Sequence, residues 1–215
     1  MVQIRLKDGK EKEFESNVSL LEAAKAISNS LGKEAVVAKV NGELTDLRDP
    51  IADQSEVEFL TKEDPEGLFT LRHTAAHVMA QAIQHLFPGV KFAIGPAIDD
   101  GFYYDLDSDH VFSQDDFAAI ETEMAKIIKQ NIPLTKKVVS RKEALDFFQE
   151  KGQDYKVMLI NDLPEDAVIS LYEQGDFTDL CAGPHMRSTG KIKAFKLMSV
   201  AGAYWRGDEH NKMLQ

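Results

Sequence analysis

The sequence is poor in cysteine and has no long hydrophobic run, and both absences limit what the chain can be. Its one cysteine, Cys181, cannot form an internal disulfide, so a disulfide-stabilised scaffold is excluded. No apolar stretch approaches the roughly 18 residues that a membrane-spanning helix needs. The first ten residues alternate polar and apolar side chains and do not resemble a signal peptide. We therefore expect a soluble, cytosolic protein with no membrane partner.

Positive charge is also scarce. The chain has 36 acidic and 25 basic residues, which gives a formal net charge of −11 at pH 7. Because Lys and Arg supply most contacts to phosphates, this balance argues against a protein whose whole surface binds nucleic acid. A local basic groove stays possible, since residues 181–207 contain no acid. The bases in this stretch are Arg187, Lys191, Lys193, Lys196 and Arg206.

The rest of the composition is that of a folded chain. Hydrophobic residues make up 43% and charged residues 28% of the 215 residues, which is close to the average for globular proteins. This length suits one large domain or two small ones. A charged segment with Pro and Gly at 62–67 marks a boundary. We therefore predict an N-terminal domain at 1–62 and a larger domain at 63–215.

Residues 1–62 are predicted to form a small α+β unit. Alternating polarity at 2–6 indicates a strand, and the Asp8-Gly9 turn predicts that it pairs with a second strand. Ser19 and Glu22 form a capping box for a helix that we expect Gly32 to end. The predicted strands are 2–6, 10–14, 35–40 and 57–60. This unit has none of the six histidines, so we expect a binding or spacer module rather than an enzyme.

Residues 63–215 are predicted to form a mixed α+β domain with antiparallel strands and long helices. Helices are predicted over 66–87, from Ser113 onward, and from Ser140, which forms a capping box with Glu143. The predicted strands are 93–98, 102–106, 132–139, 168–172 and 194–199.

Two histidines, His73 and His77, stand four residues apart on the first of these helices. Their side chains therefore lie one turn apart on the same face, opposite an apolar stripe. Exposed polar residues on an outer helix face are the ordinary explanation of such a pair. The histidine face continues through Ala80 and Gln84 without a charge, however, which favours a covered cleft.

A second pair with the same spacing, Cys181 and His185, lies in the segment 179–185 (DLCAGPH). Gly183-Pro184 predicts a tight loop there rather than a helix. Together, the three histidines and the cysteine of the two pairs could hold a zinc ion tetrahedrally. They could equally act without metal, as imidazoles that position a water molecule beside a thiol.

Lys156 and two adjacent tyrosines are further candidates. Lys156 precedes the apolar run 157–160, and a lysine in such surroundings can exchange a proton near neutral pH, although a surface lysine is the commoner case. Tyr103 and Tyr104 alternate along a predicted strand, so one side chain is expected to face inward.

Four motifs stand in order along the chain: the His73/His77 pair, residues 94–105 (IGPAIDDGFYYD), residues 179–185 (DLCAGPH) and residues 201–208 (AGAYWRGD). Together they resemble the N-terminal region of a bacterial threonyl-tRNA synthetase. The resemblance covers the whole chain. It implies that residues 1–62 form a TGS domain with a ubiquitin-like β-grasp fold. It also implies that residues 63–215 form the editing domain, which is related to that of alanyl-tRNA synthetase.

The resemblance also implies a function and a site. Serine is threonine without one methyl group, which changes binding by only about 1–3 kcal/mol, so a second site must hydrolyse seryl-tRNA(Thr). The expected partner is the 3′ end of tRNA(Thr) carrying serine. His73 and Lys156 are expected to activate water or protonate the leaving group, with His77 beside them. Cys181, His185 and Asp179 are expected to shape the serine pocket, which Tyr104 lines.

The family's synthetic activity is expected to lie outside this chain. Ligation of threonine with ATP and Mg²⁺ belongs to a class II core that the sequence does not contain, and the parent enzyme is expected to dimerise through missing domains. We therefore expect an excised fragment. For editing we expect no cofactor, although zinc on His73, His77, Cys181 and His185 is the arrangement associated with the alanyl branch.

Three alternatives stay open at this point. The chain could be an independent trans-editing deacylase. It could also be a binding module in which the four ligands hold a structural zinc ion and no ester is hydrolysed. The third is a thiol hydrolase with Cys181 as nucleophile and His185 or His73 as base.

Overall fold

The computed structural model describes all 215 residues, and they form two compact units. The first unit comprises Met1–Arg72 and Gly183–Arg187, and the second comprises His73–Ala182 and Ser188–Gln215. Both mix helices with largely antiparallel sheets, so the expected α+β class is confirmed. None of the helices combines the length and apolarity that crossing a bilayer requires.

The first unit is built on a five-stranded sheet. Its strands are β1 (Val2–Leu6), β2 (Glu11–Phe14), β3 (Ala35–Val40), β4 (Glu43–Thr45) and β5 (Ser55–Thr61). The order across the sheet is β2-β1-β5-β3-β4, so β5 is the central strand. It runs parallel to β1, and the other neighbouring pairs are antiparallel. All four strands predicted for this unit are confirmed, and β4 is additional.

Two short helices complete this unit. Helix α1 (Leu20–Ile27) begins with the predicted capping box, in which Ser19 and Glu22 exchange side-chain and backbone hydrogen bonds. The prediction that Gly32 ends this helix is wrong. Ser28 closes α1 and caps α2 (Asn29–Glu34), and Gly32 lies within α2. A side chain is excluded there because a Cβ on Gly32 would come within 2.8 Å of the Cα of Lys25.

The core of the first unit is formed by apolar side chains of its strands, of α1 and of the loop after β4. Its fully buried members are Ile4, Leu20, Ala23, Ala24, Ala35, Ala38, Leu47, Ile51 and Val57.

Helix α3 (Pro65–Leu86) begins in the first unit and continues into the second, within one residue of the predicted helix. Residues 74–83 are all buried. Other parts of the protein therefore cover the whole circumference of the helix in this segment, including the histidine face.

The second unit contains one three-stranded sheet and three short two-stranded ladders. The strands of the unit are β6 (Lys91–Phe92), β7 (Ala97–Ile98), β8 (Gly101–Phe102), β9 (Leu106–Asp107), β10 (Leu134–Val139), β11 (Ile169–Gln174), β12 (Phe177–Leu180), β13 (Ala203–Tyr204) and β14 (Met213–Leu214). The three-stranded sheet is antiparallel in the order β10-β11-β12, with Tyr172 opposite Asp179. The helices of the unit after α3 are α4 (Gln114–Gln130), α5 (Arg141–Glu150) and α6 (Asp154–Asp162).

Several predictions for this unit need correction. The long strands predicted at 93–98 and 102–106 are replaced by the ladders β6/β9 and β7/β8. One reason is that Pro96 has no N–H to donate to a continuous ladder. No strand forms at 194–199, where the Leu197 N–H instead donates to the Glu121 carboxylate at 2.8 Å. Helix α6 and strand β12 were not predicted.

Candidate active site

Helix α3 presents His73 and His77 one turn apart. Their ring centroids are 5.5 Å apart and the rings are nearly perpendicular. His73 is half-buried, whereas His77 is only 2% exposed. The sequence pattern did not distinguish the two histidines, but in the structure they differ in exposure to solvent. Of the two, His73 is the one that water can reach.

The thiol of Cys181 lies beside the more accessible histidine. Its Sγ is 3.3 Å from Nε2 of His73. Cys181 directly follows β12 and is anchored to β11, because its N–H donates to the Ser170 carbonyl at 3.2 Å and its own carbonyl accepts from the Ser170 hydroxyl at 2.6 Å. The sheet thus fixes the backbone from which the thiol reaches α3.

A buried polar network lies on the other side of His77. Asp179, on β12, has one carboxylate oxygen 2.7 Å from Nζ of Lys156 and the other 3.3 Å from Nε2 of His77. The Tyr104 hydroxyl also donates to this carboxylate. Lys156, on α6, donates further to the Ala93 carbonyl at 2.7 Å and to the Tyr104 hydroxyl at 2.8 Å. All three donors of the ammonium are therefore engaged.

Burial and charge give His77 a defined protonation state. Burial lowers its pKa to about 3, the nearby Asp179 carboxylate opposes this shift, and the charges of His73 and Lys156 add to it. His77 is therefore a neutral imidazole near pH 7. Since Nε2 faces Asp179, this nitrogen carries the proton and Nδ1 carries the lone pair.

Asp179 and Tyr104 are shifted in opposite directions. Burial opposes ionisation of Asp179, but the charge of Lys156, the neighbouring His77 and the hydrogen bonds from Lys156 and Tyr104 outweigh it and lower its pKa. Burial and the negative charge of Asp179 raise the pKa of Tyr104 well above its ordinary value. The network therefore holds a carboxylate, an ammonium and a neutral phenol out of water, a combination typical of functional sites.

Gly95 fixes the position of Tyr104. A Cβ on Gly95 would come within 2.2 Å of the Tyr104 ring, so only glycine fits there. Tyr104 is 5% exposed and Tyr103 is 40% exposed, so one of the two faces inward as predicted, although neither lies in a strand. Sequence reasoning missed the roles of Gly95 and of the Ala93 carbonyl. The only available signal for Gly95 was the glycine within the 94–105 motif.

The donor set of the site is compatible with a metal ion. The ligand atoms of His73, His77 and Cys181 lie within 4.8 Å of one another, and imidazole and thiolate are the ligands that zinc prefers. In addition, the contact of His77 with Asp179 is the kind of carboxylate–histidine pairing that orients a metal ligand.

His185, the fourth residue of the predicted set, follows Cys181 by four residues and belongs to the first unit. Its side chain is fully buried, and its N–H donates to the Asp46 carboxylate at 3.2 Å. The prediction of a loop rather than a helix in the segment 179–185 is confirmed from Cys181 onward, whereas residues 179 and 180 lie in β12.

In the structure, ion pairs reduce the net positive charge of the acid-free segment 181–207. Lys196 pairs with Glu121 at 2.8 Å, and Arg206 pairs with Asp162. Partners elsewhere in the chain thus compensate two of its five positive charges.

Family comparisons match both ends of the chain. Residues 2–61 match the TGS domain, and residues 169–215 match the threonyl and alanyl tRNA synthetase second additional domain.

Curated relatives match over all 215 residues. The chain is 56% identical to the threonine–tRNA ligases of Syntrophomonas wolfei and Clostridium novyi, and 52% identical to that of Carboxydothermus hydrogenoformans. Each match covers 100% of this chain and 34% of the relative, so the chain spans about a third of the length of these ligases. The chain therefore contains a TGS domain followed by an editing-type domain, and over its whole length it matches the N-terminal region of bacterial threonine–tRNA ligases.

Proposed function

We propose that this chain hydrolyses the ester bond of seryl-tRNA(Thr), with a TGS domain at 1–62 and the hydrolytic domain at 63–215. The observation that carries the proposal is the cluster of His73, His77 and Cys181 against the buried Asp179–Lys156 pair, in a chain related to threonine–tRNA ligases. In the parent protein, ligation of threonine with ATP and Mg²⁺ would belong to regions beyond this match.

The chemistry requires one water molecule and one group that exchanges a proton. The water oxygen attacks the carbonyl carbon of the seryl ester, the bond to the terminal ribose oxygen breaks, and serine and a free tRNA hydroxyl are released. We assign the proton transfer to His73, which takes a proton from the water and returns it to the ribose oxygen. His73 suits this role because it is half-buried, whereas His77 is enclosed and strongly disfavours a charge.

The remaining residues hold the site in shape. All three N–H donors of Lys156 are engaged. We therefore assign Lys156 the role of holding Asp179 and Tyr104 in place within the site. Asp179 holds the tautomer of His77. Because its carboxylate is buried and already bonded to Lys156 and Tyr104, we assign it a through-space attraction for the seryl ammonium. Cys181 and His185 flank the serine side chain in this proposal, and Tyr104 lines the pocket.

Deacylation of seryl-tRNA(Thr) by the purified chain tests these assignments. We expect His73→Ala to reduce the rate by at least about 100-fold, the lower range for loss of general acid–base catalysis. Lys156→Ala should also reduce the rate, because it removes the contacts that hold Asp179 and Tyr104 in place. His210→Ala, which removes a histidine with an 84% exposed side chain, is the matched control and should retain the wild-type rate. If both site variants hydrolysed at the wild-type rate, the assignment would be wrong. If the wild type did not hydrolyse the ester, the function would be wrong.

A covalent mechanism is a second candidate, because the 3.3 Å contact between Cys181 Sγ and His73 Nε2 has the geometry of a thiol activated by a base. The thiol would attack the same carbonyl carbon and release the tRNA, and water would then hydrolyse the seryl thioester. A seryl-enzyme trapped by rapid acid quench would support this pathway. Its absence, together with activity in Cys181→Ala, would leave direct attack by water.

A zinc-stabilised module is the other candidate, favoured by the contact of His77 with Asp179. His73, His77, Cys181 and His185 would hold the ion, which would supply structural stabilisation and Lewis acidity. We propose that editing needs no metal. Stoichiometric zinc in the purified protein, with unfolding by a chelator and no ester hydrolysis, would favour the module instead.

A further inference from the structure

An ion pair in the first unit holds the backbone of the segment that contains His185. Asp46 and Arg48 follow β4 and face each other, with Nη1 of Arg48 2.7 and 2.9 Å from the two carboxylate oxygens. The Arg48 backbone N–H also donates to Asp46 at 2.9 Å. The carboxylate is almost fully enclosed, so this pair is held rigidly and is screened little by solvent.

The same pair binds the backbone of two consecutive residues. The Arg48 guanidinium donates to the His185 carbonyl at 3.2 Å and to the Met186 carbonyl at 2.7 Å. Asp46 accepts the His185 N–H at 3.2 Å. The backbone of His185 is thus bound at both its N–H and its carbonyl. The planar guanidinium of arginine, with several N–H donors, suits this arrangement better than the ammonium of lysine.

Side-chain packing fixes the neighbouring residues. Met186 is 1% exposed and packs against Val36 and Val37 of β3 and Leu60 of β5. Arg187 donates to the Lys33 carbonyl at 3.1 Å. The segment 183–187 is therefore built into the first unit, although it begins two residues after Cys181.

We propose that Asp46 and Arg48 are positioning residues for the hydrolytic site, so that the TGS domain holds the His185 segment in place for editing. The inference rests on the function proposed above. Only three residues separate His185 from Cys181 in the sequence. A displacement of the His185 backbone would therefore also displace the Cys181 thiol. A shift of about 1 Å in a catalytic arrangement can cost about 100-fold in rate.

The test compares Arg48→Ala and Arg48→Lys with Val57→Ala. Val57 is buried in the first-unit core cluster, and Met186 is not part of that cluster. Val57→Ala therefore controls for general destabilisation, and the comparison is made at temperatures equally far below each variant's Tm. The measurements are the single-turnover rate of seryl-tRNA(Thr) deacylation and the rate at which iodoacetamide alkylates Cys181, the sole thiol of the chain.

We expect Arg48→Ala to lower the deacylation rate by about 10- to 100-fold and to change the alkylation rate several-fold. Arg48→Lys should restore part of the activity, and Val57→Ala should leave both rates near the wild-type values. If the wild type were active and Arg48→Ala matched Val57→Ala in both rates, this inference alone would fail. If the wild type were inactive on seryl-tRNA(Thr), the proposed function itself would fail.

Discussion

Replacing Lys156 by methionine would remove the positive charge from the buried network while keeping a side chain of similar length. The substitution deletes the 2.7 Å ion pair with Asp179 and the hydrogen bonds to the Ala93 carbonyl and the Tyr104 hydroxyl. Asp179 would then be an ionised carboxylate enclosed by protein with no cation in contact. Removing one partner of a buried pair typically destabilises a protein by about 3–5 kcal/mol. We expect Lys156→Met to lower the free energy of unfolding by about this amount at pH 7.

The loss should depend on pH, with a sign set by Asp179. In the wild type the pKa of Asp179 is lowered, so its contribution to stability is present above the ordinary value of 3.8 and is lost as pH falls through the folded-state value. In Lys156→Met, burial is no longer opposed by the ammonium, and the pKa of Asp179 should rise above 3.8. The protonated carboxyl tolerates burial better, so the stability difference from the wild type should shrink as pH falls.

Urea unfolding at pH 7 and near pH 4 measures both effects. The double variant Lys156→Met/Asp179→Asn is the control, because it removes both charges and should recover part of the lost stability. If Lys156→Met lost less than about 1 kcal/mol, the upper end of the usual range for an exposed ion pair, and the loss did not change with pH, our description of the network would be refuted.

Three other predictions follow from the same structure. Gly95→Ala should displace the Tyr104 ring and reduce seryl-tRNA deacylation, which a rate assay beside a thermal melt would measure, and unchanged activity would contradict the role given to this contact. Burial opposes the charge of His85, but its hydrogen bonds to Glu123 and Asp176 outweigh burial and raise its pKa above 6.5. The stability that His85 adds over His85→Gln should therefore be full below pH 6.5 and decline above it, and a pH-independent difference in unfolding curves would contradict this. Elemental analysis of protein purified without chelators should find substoichiometric zinc, and one ion per chain would overturn the metal-free proposal.

Much of the first unit could be predicted from the sequence because its signals are local. Alternation, the Asp8-Gly9 turn and the Ser19/Glu22 capping box each act over a few residues and agree with the final fold. Gly32 misled the prediction because its small size serves packing against Lys25 rather than the end of a helix.

The second unit was harder to predict because its elements depend on distant partners. The segment 194–199 is mostly apolar but forms no strand, and Glu121 accepts the Leu197 N–H instead. Strand β12 is short and gains its structure by pairing with β11. Helix α6 buries Lys156, and this burial is explained by distant partners: the Asp179 carboxylate, the Tyr104 hydroxyl and the Ala93 carbonyl.

For the site, spacing and resemblance identified the residue types but not the differences among them. Both pairs were found, and the thiol–imidazole contact expected between them is present for Cys181 and His73. Sequence treated His73 and His77 alike. Their different burial and the partnership of His77 with Asp179 arise from the packing of α3 against the sheet, which no local pattern encodes.

The most direct measurement is the release of amino acid from seryl-tRNA(Thr) and threonyl-tRNA(Thr) by the same enzyme preparation under single-turnover conditions. Our account predicts rapid release of serine, slow release of threonine, and loss of serine release in His73→Ala. Equal release from both esters would contradict a pocket that selects serine. Release no faster than spontaneous hydrolysis would contradict the hydrolytic site itself.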